Sequence, residues 1–148
     1  MQLNTLLAFL FVVVAGIALA VQAPLNANMG RIIGGPYAAT LVTFVVSTFI
    51  ILIMNAYSGS LENMARVIEL PWWAWLGGVA GPVYMMAVIT SVPRLGVLTT
   101  FSTLVAGQVA AAVALDSIGA FGAPLQPLSL SRVFAVLLVC SGVYMSRA

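Results

Sequence analysis

Residues 72–115 read WWAWLGGVAGPVYMMAVITS (72–91), VPR (92–94) and LGVLTTFSTLVAGQVAAAVAL (95–115), with Arg94 the one charged side chain. Crossing the hydrocarbon core of a bilayer takes about 20 apolar residues in a helix, and each outer piece is that long. A link as short as Val92-Pro93-Arg94 leaves the two helices no choice but to be antiparallel neighbours. The stretch therefore predicts a helical pair inside a membrane. The composition agrees: hydrophobic residues make up 63% of the 148 and charged residues 5%, where a soluble domain carries about a quarter charged.

Working outward, Leu6–Ala23 and Tyr37–Met54 are also long enough to span, and Leu128–Met145 is if it tolerates Arg132. Only 14 residues lie between Arg132 and Arg147, about 21 Å of helix, so the last span has to begin before Arg132. The expectation is a single all-α integral membrane domain over 1–148 with five transmembrane helices near 5–24, 36–55, 72–92, 95–116 and 129–147. An odd number of spans puts the termini on opposite sides. Met1–Ala23 has an outline like a signal peptide, but no Lys or Arg precedes its long apolar run, so it is read as the first helix.

The connections carry their own signals. Pro24 cannot donate a backbone hydrogen bond and kinks or ends a helix. The stretch through Asn26, Asn28 and Arg31 to Gly34-Gly35-Pro36 is thus a polar loop or a kinked extension; in the second case Gln22 and Asn26 share a face. In Ser60–Leu70, Leu61, Met64, Ala65 and Ile68 fall on one side of an α-helix and Glu62, Arg66 and Glu69 on the other. With Ser60 as cap and Pro71 as stop, this predicts a short interfacial helix over 60–70. Trp72, Trp73 and Trp75 suit headgroup depth, with anchoring favoured over substrate stacking.

Polar residues inside spans are the candidates for function. Thr40, Thr43, Ser47 and Thr48 form a stripe on helix 2, read as packing in preference to the lining of a path. Gly77 and Gly81 have GxxxG spacing, and Pro82 predicts a kink or break near mid-span. Gln108 is the one large polar side chain well inside a span, either an inter-helix hydrogen bond or a solute contact. Asp116 and Arg132 belong to the same side of the membrane and are candidates for an ion pair, against the alternative that Arg132 snorkels to the headgroups.

Several classes fall away. There is no His and one Cys, so neither a metal site nor a Ser/His/Asp set is expected; Cys140 is read as a small packing residue. No cofactor motif is present. A net charge of +2 is too little for a nucleic-acid surface.

The residues also carry a family resemblance. Gln22-Ala23-Pro24-Leu25-Asn26 with Gly30-Arg31, Pro71-Trp72-Trp73-Ala74-Trp75-Leu76-Gly77-Gly78, Pro93-Arg94-Leu95-Gly96, Ala106-Gly107-Gln108, and Asp116 followed by Gly119 and Gly122 resemble the YdcZ-like family. Arg132 leading into the last helix fits as well. That family is a branch of the drug/metabolite transporter (DMT) superfamily. Ser117-Ile118 departs from the His-Phe such proteins often carry. The resemblance implies a half-size, five-helix DMT-type transporter unit in a bacterial-type plasma (inner) membrane, with the carried solute undefined at family level; the missing catalytic sets make an enzyme the least expected class.

Two copies of an odd-span unit inserted in opposite directions reproduce the inverted repeats of many transporters. The loop arginines agree: Arg66 and Arg132 on one side, Arg31, Arg94 and Arg147 on the other, almost no bias under the positive-inside rule. The expected function is secondary transport by alternating access in an antiparallel homodimer of dual topology. Gln22, Asn26 and Gln108 would contact solute, with Tyr84 and Phe101 as walls. The alternative is a non-transporting accessory subunit of another membrane protein. A channel ranks lower, since no charged ring or carbonyl-filter motif is present.

Overall fold

A computed structural model describes residues 3–147. Among them every regular element is helical: α1 (Leu3–Ile33), α2 (Pro36–Ser58), α3 (Leu76–Ile118) and α4 (Leu130–Met145), with 3-10 turns at Ser60–Glu69, Trp72–Trp75 and Ala120–Gly122. Three runs are long and apolar enough to cross a membrane: Thr5–Ile33, Pro36–Ser58 and Trp72–Ile118. α4 is apolar but has 16 residues, about 24 Å of helix, somewhat less than the ~30 Å hydrocarbon core.

α3 has 43 residues. Straight, it would measure about 65 Å, twice the thickness of a bilayer core. Gly96 interrupts it at φ 78°, ψ 166°, a region that essentially only glycine occupies. Pro93, just before, withdraws one backbone donor from the same stretch. The run is therefore two helical segments, 76–95 and 97–118, and the boundary between the two compact units of the chain, Met1–Arg94 and Leu95–Ala148, falls at this break.

In the first unit the helix expected to end at Pro24 runs on to Ile33 with Pro24 inside it. Proline removes one hydrogen bond and crowds the carbonyl four residues back, but neighbouring helices can hold such a segment where water is absent. Here the turns after Pro24 are the best-packed part of α1: Ala23, Asn26, Ala27 and Gly30 are all buried, at the spacing of one helix face. Asn26 meets Met85 of α3, and Gly30 lies against Ile89 of α3 and Ala39 of α2; Ala39, Met85 and Ile89 form a buried cluster with Met29 and Phe44 packed on it. A Cβ on Gly30 would lie 3.3 Å from the Ile89 side chain and 3.6 Å from Ala39 Cβ, so this glycine sets how closely the three helices approach. By contrast Phe11 is 75% exposed and Tyr57 92% exposed, as expected of faces that meet lipid or another protein rather than a core.

The interfacial segment also differs from expectation. Gly59, in the left-handed conformation, closes α2 and precedes the turn, and no side chain caps it; Ser60 hydrogen-bonds instead to the Ser58 hydroxyl at 2.7 Å. The coil is 3-10, with three residues per turn, so rows repeat every third residue. Leu61, Met64 and Val67 form the apolar row, and Asn63, Arg66 and Glu69 the polar one, with Arg66 Nε 3.3 Å from Glu69 Oε2. Ala65 and Ile68 leave the apolar row and align with Glu62.

In the second unit, the Thr99 hydroxyl donates to Ser146 O at 3.0 Å, while Arg132 meets Asp116. The start of 97–118 thus lies at the end of α4, and its end at the start of α4, so these two helices are antiparallel. Ser129 caps α4, its hydroxyl accepting from Arg132 N. Cys140, expected as a packing residue, is exposed on α4.

The close approach at Gly30 is open to test. Gly30→Leu should destabilise the detergent-solubilised protein by about 1–3 kcal/mol through overpacking. Gly16→Leu, at a site with nothing within 4 Å, should stay within about 0.5 kcal/mol. Equal thermal unfolding of the two variants would contradict the three-helix contact.

Candidate functional site

A polar side chain among apolar helices has no water to fall back on, so its partners define what it does. Asn26 is 4% exposed. Its Nδ2 donates to Met85 Sδ at 3.1 Å, and its Oδ1 accepts from the Thr43 hydroxyl at 3.1 Å. Both partners are weak. A thioether is a poor acceptor. Thr43 has one hydroxyl proton, and Ala39 O competes for it at 2.9 Å. The amide can make four hydrogen bonds and receives two marginal ones. One helix face further on, the buried Thr40 donates to Met86 Sδ at 3.4 Å.

Pro24 lies two residues before Asn26 inside α1, where its missing N–H removes one helix bond without ending the helix. Gln22, one helical turn earlier, is half-buried. Tyr84, adjacent to Met85, is also half-buried. Gln22, Asn26 and Tyr84 all belong to the first unit, but only Asn26 has its amide enclosed.

The second unit holds the other residues singled out from sequence. Phe101 is half-buried and lines an apolar groove of about 360 Å³ with Leu98, Val105 and Val139. Gln108 is exposed on segment 97–118. Asp116 and Arg132 form a part-buried ion pair, Nη1 to Oδ2 3.3 Å, with side-chain exposures of 37% and 25%. Gln126 completes the cluster: its side-chain oxygen and its carbonyl both accept from Arg132, and its N–H donates to Asp116 O at 2.9 Å. The cluster ties the loop after segment 97–118 to the start of α4.

Thr43, Met85 and Gln126 were not identifiable as site residues from sequence. In the sequence Thr43 belongs to a hydroxyl stripe, Met85 is one apolar residue of a span, and Gln126 lies in a connection without a periodic pattern. A methionine facing an amide across 59 positions leaves no periodic trace.

These features define a small, multi-helix membrane protein whose polar groups gather inside the bundle and at its helix ends. The chain belongs to the YdcZ family: residues 7–145 match the family model described as "Putative inner membrane exporter, YdcZ". It is similar to Inner membrane protein YdcZ of Escherichia coli (strain K12), 25% identical over 146 residues that cover 98% of each chain. No solved structure matches it. The chain is accordingly an inner-membrane protein of an exporter family, not of an enzyme family.

Two stability measurements follow from the geometry. Asn26→Leu removes an amide with poor partners and leaves Thr43 its bond to Ala39 O, so unfolding stability should stay within about 1 kcal/mol of wild type or rise; a loss beyond about 2 kcal/mol would mean the amide holds the bundle together. For Asp116 and Arg132, a double-mutant cycle with Asp116→Asn and Arg132→Gln should give a coupling of about 0.5–1 kcal/mol, as expected for a partly exposed pair. Strict additivity would contradict the pairing.

Proposed function

We propose that the chain is a secondary exporter of small organic solutes, working by alternating access as an antiparallel homodimer of five-helix units. Family membership over residues 7–145 is the observation that carries the transport reading. The break at Gly96 supports the five-helix count, because it makes two membrane-length segments of α3. The balanced arginines support dual insertion. The second copy would supply the inverted half that such transporters need.

The solute site is proposed around Asn26 in the first unit, with Gln22 and Tyr84 beside it; Phe101 and Gln108 are the proposed solute contacts of the second unit. An enclosed amide held only by a thioether and a shared hydroxyl exchanges those partners for a solute at little cost. A proline-loosened helix beside a polar group is also how transporter folds build sites at mid-membrane. Gln108, exposed in one copy, would acquire its partner from the second copy or from the solute. No carboxylate lies in the middle of a span; Asp116, near the end of its helix, is the residue available to couple transport to ions.

Purified protein in liposomes tests the reading. A solute that raises thermal stability in detergent should be moved by the wild type, and Asn26→Leu and Gln108→Ala should reduce its binding by about tenfold or more with little change in unfolding temperature. Stable wild-type protein that neither binds nor moves any solute of a broad screen would leave the accessory-subunit role in its place. For the dimer, reporters fused to the C-terminus should be active on both sides of the membrane, and one added arginine should shift the ratio. A single orientation insensitive to that arginine would overturn antiparallel assembly.

A further inference from the structure

We propose that Arg31 and Arg94 form a binding cleft for a phosphate-type anion at one end of the first unit. The two residues lie 63 positions apart and come from different helices, yet both line one cleft of about 320 Å³. Gly30 and Ile89 form its floor, and Pro36, the first residue of α2, and Thr90 border it. None of the lining residues is acidic. The sequence has three carboxylates. Asp116 is already paired with Arg132. Glu62 and Glu69 follow the far end of α2, whose 23 residues span about 35 Å, several screening lengths away.

The cleft therefore holds two positive charges with no internal counter-charge. Arg31 gives one hydrogen bond, from Nη2 to Asn28 Oδ1 at 3.3 Å, which steers the guanidinium and leaves its other donors free. The Arg94 side chain has no hydrogen bond or ion pair among the described residues. Two planar guanidinium forks match the several oxygens of a phosphate better than a single carboxylate. Each arginine also suits the negative end of its own helix, since α1 ends at Ile33 and α3 breaks at Gly96. That accounts for one charge on each helix but not for a shared cavity. Both arginines lie at ends of apolar helical segments, and the chemistry they select is offered both by a phospholipid headgroup and by a phosphate dissolved in water.

The test uses the full chain in dodecylmaltoside, with dioleoylphosphatidylglycerol in mixed micelles as one probe and inorganic phosphate as the other. Binding is read by thermal shift and by native mass spectrometry. The wild type should be saturably stabilised by at least one probe. Arg31→Gln and Arg94→Gln should each weaken apparent binding by about tenfold, and the double variant should abolish it. Arg147→Gln, outside the cleft, should bind as wild type does. Response to phosphatidylglycerol alone assigns a lipid headgroup; response to inorganic phosphate assigns a soluble anion. If the double variant does not fold, the two single variants decide. The proposal is overturned if the wild type binds neither probe saturably, if the single variants bind like wild type, or if Arg147→Gln loses as much as they do. Because binding is read without transport, these outcomes are independent of the exporter reading.

Discussion

Inside the hydrocarbon there is no water to accept a lost backbone hydrogen bond, and an unpaired peptide group costs several kcal/mol there. Everything distinctive in this chain is arranged around that constraint. Regular helix is the default; even Pro82, where a kink or break was expected, is carried inside α3 without leaving helical backbone angles. Pro24 interrupts the bonding of α1 just where Ala23, Asn26, Ala27 and Gly30 are covered by α2 and α3. Pro93 and Gly96 interrupt α3 near the level at which a helix from Trp72 has crossed the core and can turn. Hydroxyls bond back to their own helix, as Thr48, Thr90, Thr103 and Ser141 do, and so bring no unsatisfied donor to the lipid-facing surface.

Against this background the poorly satisfied groups stand out. Asn26 is enclosed, yet its partners are a sulfur and half of a shared proton. A bundle selected only for stability would place an aliphatic side chain there, since apolar replacement of weakly bonded polar groups is close to neutral or better. This weak satisfaction is what the proposed solute site rests on. The ends of the units differ in kind. Asp116, Arg132 and Gln126 satisfy one another and hold a loop to a helix. Arg31 and Arg94 share a cleft without an acid. One cluster is closed electrostatically and the other open.

The membrane setting, the apolar runs and the family resemblance were all legible in the sequence, because they depend on composition and on length against a bilayer of set thickness. Residues 72–115 alone imposed two helices with a turn between them, and the structure breaks the helix at Gly96, two residues beyond the expected link of 92–94. The end of the first helix was left open by the sequence: Pro24 reads as a stop or a kink, and which of the two it is depends on what packs around it. The faces of Ser60–Glu69 were misassigned for a related reason. The pattern fits a period of 3.6, but the segment winds at three residues per turn and Ile68 turns away from Leu61 and Met64.

Asp116 and Arg132 pair as the sequence offered, but the partners of the other polar residues were decided by tertiary structure. Asn26 finds Met85, and Arg31 finds the same cleft as Arg94, only because three helices pack at the closeness Gly30 allows. Residue type and spacing record the free energy of transfer from water into lipid, a property each segment has by itself, and so the sequence determined that these segments are membrane helices. A contact between residues tens of positions apart is a property of the packed bundle. It has no period and no local signature, and only the fold could supply it.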